Sequence, residues 1–202
     1  MATPRWMRAV GIAVLVVVLL LTVLGIYWSR TPKTFWVNEF VDDGTHVVGY
    51  STTDTLIRVA SALVDKPGGY LSNDKMPPGV VLDNIPNWEQ GVLTQVADLS
   101  RVLRNDYSRS QSQSKEDPDL VIAQEKFFSE SNSWMFPPTE RRFDEGIEAL
   151  QRYRDRLSGV NGAAPDAQFY ARADNLREWL ACSNCCAGTN RQRYRTHFVV
   201  RD

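Results

Sequence analysis

The chain has 202 residues, which is room for about one domain. Hydrophobic residues make up 43% of the sequence, and many of them lie in one uncharged run near the N-terminus. The rest of the body, residues 29–181, carries 17 basic and 23 acidic residues, a net charge of −6. Nucleic-acid binding needs a clustered basic face, so this composition argues against a nucleic-acid partner.

The uncharged run covers the twenty residues Ala9–Trp28. A helix of that length spans about 30 Å, which is the thickness of the hydrocarbon core of a bilayer. Trp6 precedes the run, and Tyr27 and Trp28 end it, as expected for aromatic residues at the two membrane interfaces. We predict a transmembrane helix over residues 9–28 that contacts the lipid bilayer, with a cytoplasmic N-terminus of residues 1–8.

A cleaved signal peptide is the alternative interpretation of the same run. It would have a shorter apolar core, of roughly 7–15 residues, and small residues at the cleavage site. Here the run ends in GIYWSRTP, so bulky aromatic residues favour an uncleaved anchor. Arg5 and Arg8 precede the run and Arg30 and Lys33 follow it, so the positive-inside rule slightly favours a cytoplasmic N-terminus. We therefore expect a single-pass protein of the bacterial inner membrane with its bulk in the periplasm.

After a juxtamembrane segment, residues 29–50, apolar residues repeat at spacings of three and four, as on one face of a helix. The first predicted helix has Ser51, Thr52 or Thr53 as its N-cap and ends at Pro67. The others are predicted at residues 88–110, 120–128, 139–158 and 165–181. The helix at 139–158 is capped by Thr139 and stopped by Gly159. The fold class is therefore all-α: a transmembrane helix followed by a helical domain, residues 51–181, that is a bundle of roughly four or five amphipathic helices.

One long loop, residues 70–88, separates the first two predicted helices of this bundle. It is too apolar for a solvated connector, and we expect it to be an ordered segment that wraps over the helices. We expect its Asn and Asp side chains to hold it by local bonds to the backbone. The apolar residues that need cover are Tyr70, Leu71, Met76, Val80, Val81, Leu82, Ile85 and Trp88.

All three cysteines lie close together, at Cys182, Cys185 and Cys186, and His197 follows them. These four residues could supply the ligands of a zinc site, but adjacent cysteines fit one tetrahedral ion poorly. A thioredoxin-like redox site needs the Cys-x-x-Cys motif at the start of a helix, whereas here the motif comes at a helix end. We expect no metal and no cofactor, and keep this cluster as the weak alternative.

The composition changes abruptly at the same point. Residues 182–202 have a net charge of +3 and lack the apolar period of the preceding helix. Our hypothesis is that they form an atypical tail, translated out of the ancestral frame or left unselected. Translation of the gene in the other two frames tests this, because one of them should continue the helical period.

Glu130, in the segment FFSESNSW, is the weak alternative for a catalytic residue. A Glu-Ser pair after a helix resembles the start of the lytic-transglycosylase catalytic region, where one carboxylic acid acts as general acid. The downstream motif of those enzymes is absent, and a glutamate at a helix end is more often simply solvated. His46 is the one histidine before the tail, and no nucleophile motif accompanies it.

Several long phrases resemble a proteobacterial family defined only as domain of unknown function 2333. They include VVGYSTTDTLIRVASALVDKPGGYLSNDKMPPGVVLDNIPNWEQGVL, SNSWMFPPTE and QFYARADNLREWL, and the likeness covers about Val47 to Leu180. The resemblance implies an N-terminal anchor and no assigned catalytic residues. It also implies that further helical sequence follows in other members, so that this chain is C-terminally truncated relative to them.

These patterns together favour binding over catalysis. We predict a membrane-anchored protein with a binding or scaffold role in the cell envelope, and with other envelope proteins as its partners. The alternative function is a peptidoglycan-cleaving enzyme that uses Glu130 as general acid.

Overall fold

A computed structural model of the chain describes residues 4–37, 46–74, 77–110, 115–129, 138–159 and 166–181. Within these ranges the regular structure is helical, without a strand, which confirms the all-α prediction. The described body contains five α-helices, within the predicted number. The helices are α1 (Arg5–Trp28), α2 (Tyr50–Asp65), α3 (Asn84–Val102), α4 (Pro118–Phe128), α5 (Thr139–Ser158) and the short α6 (residues 173–181).

Most of helix α1 projects from the packed body, and only its last turns contact the body. Apolar side chains are exposed around its whole circumference, Leu15 to 66% and Val17 to 54%, and Gly25 is its one buried residue. It has 24 residues and is long and apolar enough to cross a membrane. A signal sequence near the N-terminus can pass the same test of length and hydropathy, so the uncleaved anchor stays a prediction.

The core of the body lies between α2, α3, α4 and α5, whose apolar faces meet there. Gly146 lets α5 approach α4 closely, because a Cβ at this position would lie 3.0 Å from Cζ of Phe127. The side chains of Leu63, Leu103, Leu120, Phe143, Leu150 and Tyr153 are fully buried in this core.

The start of α2 differs from the prediction. The helix begins at Tyr50, and its N-cap is Gly49 in the left-handed region with φ +89°, so the predicted caps Ser51, Thr52 and Thr53 lie within the first turn. A Cβ on Gly49 would lie 2.3 Å from the ring of Phe169. Only glycine therefore accepts both the backbone angle and the ring that packs here.

Helix α3 begins at Asn84, four residues before the predicted start at Trp88. Pro86 lies in its first turn, where the missing N–H of proline costs no helical hydrogen bond. The helix ends in a wider π-type turn at Leu103–Tyr107.

The two ends of α5 differ in how well they were predicted. Pro138, and not Thr139, occupies its N-cap. The predicted stop at Gly159 is confirmed, because Gly159 has a φ of +69°.

The last helix was predicted to begin at Pro165, but α6 begins at residue 173. The preceding segment is not helical because contacts with the core hold its backbone. The Tyr170 N–H donates to the carbonyl oxygen of Tyr107 at 2.7 Å, and the Tyr153 hydroxyl donates to that of Gln168 at 2.7 Å. The side chain of Asn175 then ties α6 to the carbonyl oxygen of Asp106 at 2.9 Å.

Candidate membrane-proximal site

A fully buried ion pair joins the end of α2 to the first half of α3. The Lys66 ammonium contacts the Glu89 carboxylate, and neither side chain has any exposed surface. Lys66 also donates to the carbonyl oxygen of Gly69. The Glu89 carboxylate accepts hydrogen bonds from the N–H groups of Leu71 at 2.8 Å and Ser72 at 2.7 Å, and from the Ser72 hydroxyl. A side chain of α3 therefore fixes the loop after α2.

The prediction for this loop was correct only in part. Tyr70, Leu71 and Ile85 are buried, as expected. The Asn87 amide makes the expected local bond, at 3.0 Å to the carbonyl oxygen of Asp83. The main restraint on the loop, however, is the carboxylate of Glu89, which local bonding did not predict. Asn73 donates across the molecule to Glu140 on α5, at 3.4 Å.

The turn held by this ion pair packs on the end of α1. Gly68 has φ +91°, and a Cβ on it would lie 2.9 Å from the indole ring of Trp28. Trp28 is one of the aromatic residues predicted to lie at the membrane interface. The Lys66–Glu89 pair therefore sets the position of the body relative to the last turn of α1.

A second part of the loop, Pro77–Leu82, packs on the preceding turns of α1. A Cβ on Gly25 would lie 3.6 Å from Cβ of Pro78 and 3.9 Å from Leu82. Loop and helix enclose a groove of ≈ 410 Å³ with an almost wholly apolar lining that includes Val18 and Leu21. The expectation that the protein covers every apolar residue of the loop is wrong for Val80 and Val81, which are 58% and 76% exposed.

On another side of α1, the segment after the helix and the face of α2 enclose a cavity of ≈ 590 Å³. Arg30 and Lys33 line it, and no carboxylate of the described residues forms an ion pair with either. Arg58, also in the lining, pairs with Asp54 at 2.7 Å and lies over the ring of Phe35. The cavity thus places cations beside the predicted membrane interface.

Carboxylates dominate the other flank of the loop. Burial, followed by repulsion from Glu140 and Glu89, raises the pKa of the Asp74 carboxyl above its ordinary value, against the opposing charge of Lys66. Because this pKa is higher in the folded state, protonation of Asp74 favours folding, and that contribution is lost as the pH rises through the folded-state pKa. Burial and the charges of Asp65, Glu148 and Glu140 likewise raise the pKa of Asp144.

A third groove, of ≈ 450 Å³, lies between α2 and α3 and is closed at one end by Trp179 of α6. Its floor is apolar, formed by Leu56, Val59, Val96 and Leu99. Hydroxyl and amide groups form its rim, from Ser51, Thr52, Thr55 and Gln95.

The reactive residues singled out from the sequence lie elsewhere. Glu130 and the cluster Cys182, Cys185, Cys186 and His197 are outside the described residues, and their suggested roles stay predictions. His46 is exposed ahead of α2. In the part of the chain that the structure describes, no group of three or more His, Cys, Asp or Glu side chains could hold a metal ion.

Comparison with known proteins gives one match. The model of a family described as an uncharacterised protein conserved in bacteria, DUF2333, matches residues 2–196. This match runs past Leu180 into the cysteine-containing tail, further than the resemblance found from sequence phrases. No curated protein and no solved structure matches the chain.

Proposed function

The chain belongs to this uncharacterised bacterial family. From the long apolar helix α1, we propose that it is a single-pass inner-membrane protein whose helical body lies in the periplasm and binds another protein of the cell envelope. α1 is the anchor, and the five body helices form the binding domain. The role is that of a scaffold and not of an enzyme.

The groove between α2 and α3 carries the binding part of the proposal. From Ser51 to Val59 it follows α2 for about 12 Å, which is just over two helical turns. Its apolar floor and polar rim suit an amphipathic helix, which would place apolar side chains on Leu56, Val59 and Leu99. The partner we propose is therefore an envelope protein that presents such a helix.

Three ion pairs of the body, one buried and two partly buried, support a structural use of its ionisable side chains. Lys66 and Glu89 fix the loop. Arg154 joins α5 to α2 through Asp54, at 2.9 Å. Arg156 joins the C-terminal end of α5 to the N-cap of α4 through Asp117, at 2.7 Å. In each case the charge holds two elements of the fold together.

Site-specific photo-crosslinking in living cells tests the groove. A photoreactive amino acid replaces Gln95 on the rim, and the same replacement at Gln151, an exposed glutamine of α5, is the matched control. We expect one adduct of defined mass from position 95 and none from position 151. Thr55→Arg, which places a charged side chain in the groove, should remove the adduct.

An adduct at position 95 that survives Thr55→Arg contradicts use of this groove. Equal adducts at positions 95 and 151 would indicate contact without a specific site. Recovery of only the protein itself from both positions contradicts the scaffold role.

A further inference from the structure

The loop Pro77–Leu82, in which Val80 and Val81 are exposed, lies beside α1 at the height of Gly25 along the helix axis. Gly25, on which Pro78 and Leu82 pack, lies about 4–5 Å along the axis from Trp28. Leu21, which lines the groove beside the loop, lies about 10 Å from Trp28 on the same measure. If Trp28 marks the membrane interface, this loop is at the depth of the hydrocarbon.

From this geometry we infer that Pro77–Leu82 is a second membrane contact, which inserts Val80 and Val81 into the leaflet on the side of the body. The inference rests on the proposed function, because it requires α1 to span the bilayer. It adds a lipid-binding surface on the body itself, whose ligand is the acyl-chain region of the membrane.

The side chains of the loop fit this environment. Pro77, Pro78, Val80, Val81 and Leu82 are apolar, and the two valines point away from the core with 58% and 76% of their surface exposed. Moving such exposed apolar side chains from water into hydrocarbon is favourable. Asp83 follows the apolar segment directly. The carboxylate of Asp74 packs against the buried Gly79, on the side of the loop opposite to the exposed valines.

The backbone of the loop is also adapted to low polarity. Unpaired N–H groups are costly in hydrocarbon, which usually excludes loops from it. Pro77 and Pro78 have no N–H group to satisfy. The N–H of Val81 donates to Pro78 at 3.1 Å, and that of Leu82 to Gly79 at 3.1 Å. Four of the six residues therefore leave no N–H group unpaired.

Accessibility of spin labels in phospholipid vesicles tests the inference on the full chain. Single cysteines are introduced at Val80 and Val81 after serine replaces the three natural cysteines, and each is labelled with a nitroxide. Val17 on α1 is the reference for the membrane interior, and Ile122, an exposed apolar residue of α4, is the matched reference for water. The vesicles contain only phospholipid and this protein, so no partner protein can cover Val80 and Val81 in the experiment.

We expect labels at positions 80 and 81 to collide more often with oxygen than with a polar nickel complex, as at position 17, and the label at 122 to show the reverse. Water-like labels at both 80 and 81 with a lipid-like label at 17 overturn the inserted loop and leave the anchor intact. A water-like label at 17 overturns the anchor, and with it the inference.

Discussion

Replacing Glu89 by alanine is expected to lower the free energy of unfolding by about 3–5 kcal/mol, the usual effect of breaking a buried ion pair. The substitution leaves the Lys66 ammonium without its carboxylate in a site that has no exposed surface. It also removes the acceptor for the N–H groups of Leu71 and Ser72. Thermal unfolding of the full chain in detergent micelles should show a melting temperature lower by about 10 °C.

Glu125→Ala is the matched control, because Glu125 is an exposed glutamate on α4. It should change stability by less than about 0.5 kcal/mol. A double variant, Lys66→Met with Glu89→Leu, should recover part of the loss, since no buried charge then lacks a partner. Equal stability of Glu89→Ala and Glu125→Ala would show that the buried pair does not hold the loop.

The second large effect is expected at the aromatic cluster under the same loop. Phe143 of α5 is completely buried, with its ring perpendicular to that of Tyr70 at 5.1 Å and 6.1 Å from that of Phe127. Phe143→Ala removes these contacts and leaves a cavity between α4, α5 and the loop. We expect the free energy of unfolding to fall by about 3–5 kcal/mol, measured by urea denaturation in micelles.

Phe128→Ala provides the comparison, because Phe128 is the neighbouring phenylalanine of α4 but is 49% exposed. The guanidinium carbon of Arg101 lies over its ring, 5.8 Å from the ring centre. Loss of the ring should lower the free energy of unfolding by about 0.5–1 kcal/mol. If the two alanine variants are equally stable, Phe143 does not organise the core as described.

The elements with a strong periodic signal could be predicted from the sequence. Helix α1 follows from an uncharged run of the length of a bilayer. Helix α5 follows from its apolar stripe and from Gly159, which adopts the left-handed angles that end a helix. In both cases the information is local, within the helix or one residue beyond it.

The ion pair at the centre of the candidate site was missed because it is a contact between two elements. Its signal is nevertheless present in the sequence. Glu89 precedes Leu93 by four residues and Val96 by seven, so it lies on the buried stripe of α3. A charged residue on an apolar stripe needs a buried partner, and Lys66 at the end of α2 is that partner.

The start of α6 and the exposure of Val80 and Val81 also differ from the prediction, and both depend on contacts outside the local sequence. The start of α6 could not be predicted, because the hydrogen bond from Tyr170 to Tyr107 joins segments that are distant in sequence. Val80 and Val81 were expected to be covered when the loop packs on the helices, yet both are exposed. The sequence shows that they are apolar but not which way they point from the folded loop.

The central claim is that α1 holds the helical body on the periplasmic side of the inner membrane. Protease digestion of spheroplasts and of inside-out membrane vesicles tests it most directly. The account predicts that protease added to spheroplasts degrades the body and leaves a membrane-embedded fragment containing α1, whereas the body in inside-out vesicles is protected. Protection in spheroplasts with digestion in inside-out vesicles, or release of the intact body into the soluble fraction, would contradict it.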